Sequence, residues 1–537
     1  MLQTVNLNKL KNISIILLMV LCGFHLLANL FWFSLNTAPL PWDQAGHTLI
    51  ALHHSYFFKS LLHQDLLSFL TISPYYPPLV HIIASFPILI FGNPIFVSSL
   101  TITFFFIASI LLLYIYTNDI FKNRIISLLT AIIYSFTPII YEHSRWFLLE
   151  IPLLTGILAT LICFEKWEKT NKQTYWYGCI LAFSLTVLIK WLAAIYLFPI
   201  SIIFAYVSYN RLKKGELKIN SLLIGGGIFL SIVLPWYITN LISLFKETQN
   251  TILPEVSDPQ NFWSKSNFFF YLYQFVTFQV TLFFLFPALA GGEFLWVSQN
   301  KKRYFIFFYI LFIYLAFTLI PNKDPRYTMP IILFNSMLIA FAFLELIKKI
   351  KTLGITLTIL FLFYIITLYI ILSFRPQTFH YQRAIHFPIL GWIDYININD
   401  NLAHAYNNAS WPQVAIHEAI AKDAQGKEVK VLVLVDQELF NLGNLLVTRE
   451  INNFWNILSL PAPQRIDHTD QAAKKLLSEY DYVITARYQI GVPATRNIDV
   501  LKFLTNFINL HNTDWFLRLS EFTIPTNDTI TIYKVNL

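Results

Sequence analysis

Two acidic residues stand where a carboxylate is costly to keep. Asp43 lies in Pro41-Trp42-Asp43-Gln44-Ala45-Gly46-His47, just after the first long apolar run. Glu150 lies in Ser144-Arg145-Trp146-Phe147-Leu148-Leu149-Glu150-Ile151-Pro152, between two apolar runs with no polar linker of ordinary length. An Asp held beside Trp and Pro at a membrane face is partly desolvated, which suits it to take a proton as a general base. A carboxylate and a guanidinium next to membrane depth are expensive unless they are paired or functional. Simpler uses stand beside these. Asp43 can cap a helix beginning near Gln44, and Glu150 can favour the dipole of a helix that starts before Pro152 or pair with Arg145.

The cations that would answer these acids are Arg145, Lys190, Lys323 and Arg326. Lys190 divides two apolar runs with Trp191 beside it, so it either binds a phosphate or snorkels to the interface. In Pro321-Asn322-Lys323-Asp324-Pro325-Arg326-Tyr327 the basic residues break the charge trend of the loops, which an anionic head group would explain, because Arg grips phosphate oxygens in a fixed fork. A local pair with Asp324 is the plainer account. His47 is a candidate substrate contact, and the trio His47, His53 and His54 is the set of histidines that merits a metal test. Cys22, Cys163 and Cys179 sit in apolar stretches without paired spacing, which argues against disulfides and zinc. Gly225-Gly226-Gly227 lies in an apolar run and reads as helix packing rather than a phosphate loop.

The elements that must position these residues follow from composition. The chain of 537 residues is 56% hydrophobic and only 13% charged, too little polar surface for water-soluble domains throughout, so a bilayer is its solvent. The net charge of +8 is then a topology signal before it is a nucleic-acid signal. Apolar runs near the ~20 residues that a crossing needs occur at 13–33, 95–117, 125–141, 151–166, 175–189, 191–207, 221–243, 269–290, 304–320, 328–347 and 353–374. The first, after Lys9 and Lys11, has no small-residue cleavage site and reads as an uncleaved span. Basic clusters at 122–124, 166–172, 211–218, 301–303 and 348–351 follow alternate runs, so about eleven crossings place the amino terminus in the cytoplasm.

That count holds only if Leu79–Phe91, bounded by Pro77-Pro78 and Gly92-Asn93-Pro94, is a re-entrant or interfacial helix rather than a span. The outer side then holds 34–94, 142–150, Lys190, 244–268, 321–327 and everything after Phe374. Beyond residue 375 the long apolar runs stop. Val429–Val435, Tyr482–Thr485 and Thr529–Val535 read as strands, and Trp411–Ala424 and Thr469–Glu479 as helices. The expectation is an α-helical polytopic membrane protein of the plasma (inner) membrane. Its membrane domain covers 1–375 with the outer loop 34–94, and an extracytoplasmic α/β domain covers 376–537.

Taken in order, the acid of Trp42-Asp43, the Tyr75-Tyr76-Pro77-Pro78-Leu79 entry to a short helix, the Phe91-Gly92-Asn93 turn, Pro138 before Ser144-Arg145, the acid five residues on, and the late Arg326-Tyr327 resemble bacterial GT-C membrane glycosyltransferases. The likeness is to the branch of protein O-mannosyltransferases and aminoarabinose transferases (glycosyltransferase family 39 type), and it covers residues 10 to 375. It implies a polyprenyl-phosphate sugar donor, an outer active site on the first loop, and inversion at the anomeric carbon. By this resemblance Asp43 and Glu150 are catalytic, and Arg145, Lys190, Arg326, Tyr327, Tyr76 and His47 bind substrate. Two positions depart from the pattern: Gln44 stands where mannosyltransferases usually carry a second acid, and Glu150 where Asp is commoner.

The expected reaction has Asp43 taking the proton of an extracytoplasmic acceptor while the lipid phosphate leaves toward Arg326, Lys190 and Arg145. Partners are the donor, the acceptor and the bilayer, with no nucleic acid. No cofactor is required, though a divalent metal is compatible with the chemistry. The competing readings are an oligosaccharide ligase with a pyrophosphate-linked donor, a multi-span transporter or flippase, and a non-catalytic assembly protein.

Overall fold

The computed structural model of the chain describes residues 2–60, 65–252, 262–376, 379–387, 391–400, 402–492, 495, 497–511 and 515–537. They form two compact units. One comprises Met1–Ser34, Phe57–Phe86 and Ser98–Tyr406, the other Leu35–Tyr56, Pro87–Val97 and Asn407–Leu537. Contacts therefore divide the chain differently from a single cut at 375: residues 376–406 go with the helices, and 35–56 and 87–97 go with the C-terminal domain.

Among the described residues six helices are long and apolar enough to cross a membrane: Asn12–Leu35, Pro94–Phe121, Ala193–Lys213, Ile219–Gln249, Pro330–Lys349 and Lys351–Phe374. A seventh arises if Lys265–Gln279 and Leu282–Val297 count as one span bent by 120°. The difference from eleven has local causes. Run 125–141 is two helices, Arg124–Ser135 and Pro138–His143, because Pro138 has no N–H to continue the first and suits the start of the second. Run 269–290 breaks after a π-helical turn, Phe275–Gln279. Helix Gln173–Val187 has 15 residues, about 22 Å at 1.5 Å per residue, short of a hydrocarbon core of ~30 Å. Part of the outer loop 244–268, residues 253–261, lies outside the described residues.

The short apolar element is a helix over Leu79–Phe91, as its bounding residues suggest. Gly92 and Asn93 end it with φ of 65° and 43°, left-handed values that Gly and Asn tolerate best. Helix Pro330–Lys349 is the core of its unit, with every residue from Pro330 to Leu344 buried. Of the three adjacent glycines in helix Ile219–Ile252, Gly225 packs on Trp176, whose ring a Cβ would meet at 2.3 Å.

A hairpin of β1 (Tyr381–Phe387) and β2 (Gly391–Ile398) belongs to the helical unit, and Asn397 Nδ2 donates to Thr277 O at 3.2 Å. In the other unit β3 (Val429–Val433), β4 (Ile457–Pro461), β5 (Tyr482–Ala486), β6 (Phe516–Thr523) and β7 (Thr529–Val535) form one sheet in the order β4-β3-β5-β7-β6. The β4-β3-β5 half is parallel, and β7 and β6 close it antiparallel. One face buries Val431 and Ile484 under helices Gln413–Ala424 and Leu442–Ile451. The other buries Leu432 and Val483 under Asp470–Leu477 and Ile498–Leu510. The run Val429-Lys430-Val431-Leu432-Val433 is apolar at four of five positions because both faces are covered.

Candidate functional site

In the helical unit the site is built where helices stop. Glu150 opens helix Glu150–Thr170 after the turn Ser144–Leu149, and its residue is 4% exposed. Lys190 lies in the break between Gln173–Val187 and Ala193–Lys213. These segments are held together because Gly156 lets Thr186 approach: a Cβ there would stand 2.5 Å from Thr186 Oγ1. The result is an ion pair, Lys190 Nζ donating to Glu150 Oε1 at 2.6 Å, with side chains 13% and 4% exposed. Glu150 thus pairs with Lys190 rather than with Arg145.

Arg326 joins them electrostatically, as does His143. Arg326 sits in the 3-10 turn Pro325–Thr328. Its Nε and Nη2 donate to Asp324 Oδ2 at 2.8 and 2.6 Å, the local pair anticipated from sequence. The turn is fixed from both sides: Gln279 Nε2 donates to Pro325 O and to Thr328 Oγ1, and Tyr196 OH donates to Tyr327 O at 2.9 Å. Lys323, in the same loop, donates to the carbonyls of Phe317 and Thr318 at 2.9 and 2.7 Å. Burial lowers its pKa to about 8. Tyr327 packs on Phe317. Half-buried Tyr76 packs edge-on to Tyr75, whose ring in turn meets Trp191 beside Lys190.

Arg145 is placed elsewhere. Its buried guanidinium donates to Asn29 Oδ1, Tyr369 OH and Ser373 Oγ at 3.0, 3.0 and 2.9 Å, among the rings of Trp32, Tyr141 and Tyr369. That makes it a tie between helices Leu2–Leu35 and Lys351–Phe374. Two further groups had no place in the sequence reading. Glu142 Oε1 accepts from the backbone N of His404 at 3.1 Å and meets its Nδ1 at 2.6 Å, and His143 interacts electrostatically with Glu142, Glu150, Arg326 and Asp324. Glu142-His143 sits at the end of an apolar run, the same signal that drew attention to Arg145 and Glu150. For His404, 262 residues from Glu142, sequence offers no such signal.

In the other unit, helix Trp42–Lys59 starts at Trp42, so Asp43 lies in its first turn rather than at its cap. Asp43 is exposed, not half-desolvated. Its neighbour Trp42 donates Nε1 to Asp436 Oδ1 at 2.9 Å, and Thr495 Oγ1 donates to Asp436 Oδ2 at 2.9 Å. His47 is buried on this helix. The histidine trio does not make a metal site. His47 and His54 are buried seven residues apart, His53 is exposed, and among the described residues no three His, Cys, Asp or Glu side chains gather.

The chain has the fold of ArnT, a protein solved with and without bound undecaprenyl phosphate. ArnT from Cupriavidus metallidurans bound to undecaprenyl phosphate superposes with a TM-score of 0.57 and 12% identity, over 96% of this chain and 97% of that one. The same protein in the apo state gives 0.55 and 11% with the same coverage. A family model described as dolichyl-phosphate-mannose-protein mannosyltransferase matches residues 76–238, the stretch that includes Tyr76, Arg145, Glu150 and Lys190. An uncharacterized protein of Aquifex aeolicus (strain VF5) is 27% identical over 294 residues, 52% of this chain and 55% of that protein. The chain thus spans about half the length of the curated relative it matches.

Proposed function

We propose that this chain is a membrane glycosyltransferase that moves a sugar, with inversion, from a polyprenyl-phosphate carrier to an acceptor outside the cytoplasm. The observation that carries the reading is the buried Glu150–Lys190 pair with Arg326 beside it, in a fold shared with a protein that binds undecaprenyl phosphate. Lys190 and Arg326 are the groups that would meet negative charge developing on the departing lipid phosphate, and cations fixed in place before reaction act there at little reorganisation cost. Asp43 is the proton acceptor for the attacking hydroxyl or amine. Tyr76, Tyr327 and His47 are contacts to substrate.

A further feature fits a lipid carrier. An apolar cavity of about 480 Å³ is lined by Tyr271, Ala288, Trp296, Phe307, Thr328 and Leu338, so Thr328 joins it to the loop of Arg326 and Tyr327. In this proposal it takes the first isoprene units of the carrier. The orientation that goes with the reading has the amino terminus in the cytoplasm and the loops of Glu150, Lys190 and Arg326 outside. The test is mass spectrometry of envelope lipids and glycoproteins from cells with and without the chain. Loss of one glycan mass supports the proposal and identifies both substrates; unchanged glycan masses count against it.

A further inference from the structure

Among the described residues of the helical unit, Glu150 and His143 each hold a buried acceptor atom with nothing donating to it. Glu150 Oε1 receives Lys190, but Oε2 is buried without a partner. His143 closes the short helix Pro138–His143. Its Nδ1 lies 2.8 Å from the carbonyl of Ile139. A carbonyl only accepts, so Nδ1 carries the ring proton and Nε2 presents a lone pair. Nε2 too is buried without a partner. Each residue is 4% exposed, and the two side chains interact electrostatically. A buried polar group left without its hydrogen bond costs about 1–3 kcal/mol, and two in one cluster point to a ligand that donates to both.

The neighbouring charges narrow the chemistry of that ligand. Glu142 is engaged by His404 and Asp324 by Arg326, while Lys190 and Arg326 already surround Glu150 with positive charge. Among the described residues no three His, Cys, Asp or Glu side chains form a group that could hold a metal ion. A neutral donor meets both acceptors without bringing a further charge into a buried site. A hydroxyl fits, since its hydrogen meets an acceptor while its oxygen can accept from a nearby cation. Several hydroxyls on one rigid ring are the chemistry of a monosaccharide.

We propose that His143 Nε2 and Glu150 Oε2 form a hydroxyl-recognition subsite that grips the monosaccharide of the donor next to its phosphate. The inference rests on the reading that the donor is a polyprenyl-phosphate sugar. His143 is a specificity-determining residue in this account, and it takes no part in bond making.

The experiment titrates the whole chain in nanodiscs with undecaprenyl phosphate, and with the same lipid carrying mannose, N-acetylglucosamine or an arabinose-type pentose. At least one glycolipid binds more tightly than the bare lipid. His143→Leu weakens that glycolipid about tenfold, the factor set by ~1.4 kcal/mol, and leaves the bare lipid unchanged. His143→Gln, which restores an acceptor oxygen, recovers most of the loss. Monodeoxy forms of the preferred sugar probe the same contact without altering the protein: one of them binds wild type about tenfold less well and loses nothing further in His143→Leu.

If the bare lipid binds but no glycolipid binds better, or if every deoxy form binds as well as its parent, the subsite is overturned while the carrier reading stands. Absence of binding by every lipid, bare lipid included, overturns the carrier reading and the subsite with it.

Discussion

Replacing Lys190 by Met removes one half of a nearly buried ion pair and leaves the other half in place. The pair is short, at 2.6 Å, and its side chains are 13% and 4% exposed. Removing one partner of a buried pair typically costs 3–5 kcal/mol because an uncompensated charge is left behind. Here Glu150 Oε2 is already without a partner, so Lys190→Met strips the carboxylate of its one direct donor. Arg326 and His143 still interact with it, which places the loss at the low end, about 3 kcal/mol. The double variant Lys190→Met with Glu150→Leu removes both charges and fills the space with apolar atoms, an exchange that is often neutral or stabilising.

The assay is denaturation of the purified protein in nanodiscs for wild type, both single variants and the double variant, analysed as a cycle. The account expects Lys190→Met to be the least stable and the double variant to recover most of the loss. If the double variant is as unstable as Lys190→Met, or if Lys190→Met is as stable as wild type, the pair does not hold a buried charge and the reasoning fails.

Three other outcomes follow from single features. Arg145→Lys loses the fork that meets Asn29, Tyr369 and Ser373, and stability in the same assay falls by about 2 kcal/mol; an unchanged value would show that the tie is not needed. Gly291→Ala puts a Cβ 1.9 Å from the backbone oxygen of Leu338, so helices Leu282–Val297 and Pro330–Lys349 must separate. We expect a loss of at least ~1–3 kcal/mol, and wild-type stability would contradict the close approach. Lys323 has a folded pKa near 8 against 10.5 ordinarily. Between these values the unfolded chain binds more protons, so stability rises with pH. Wild type therefore gains on Lys323→Met from pH 8 toward 10.5 and not below 8; a difference that stays flat across that window refutes the burial of the amine.

Much of this was legible in the sequence because a bilayer simplifies the code. Long apolar runs gave helices, and the proline and glycine boundaries of Leu79–Phe91 gave that helix its full extent. Strands β3, β5 and β7 were readable because runs such as Tyr482–Ala486 are buried on both faces. Strand β6 was not, since its exposed positions, including Arg518 and Glu521, hide its period. Run length failed where backbone chemistry interrupts it, at Pro138 and at the π-helical turn before Leu282.

In the helical unit's site, acids and cations at run ends were the right residue types, but their partners were set by packing. Gly156 brings Lys190 to Glu150, while Arg145 turns toward Asn29 and Tyr369. His143 stands at a run end like Arg145 and Glu150, but its meaning depends on the unpartnered Nε2, which only packing reveals.

The central claim, sugar transfer from a lipid phosphate with Asp43 as base, is tested most directly in proteoliposomes. The purified chain is supplied with isotopically labelled polyprenyl-phosphate sugars and an extract of envelope acceptors, and labelled product is followed by mass spectrometry. The account predicts label in a product made by wild type and none made by Asp43→Asn, with the carrier released as lipid phosphate. Full transfer by Asp43→Asn would remove Asp43 from the mechanism, and no transfer from any lipid-phosphate sugar by wild type would contradict the proposed function itself.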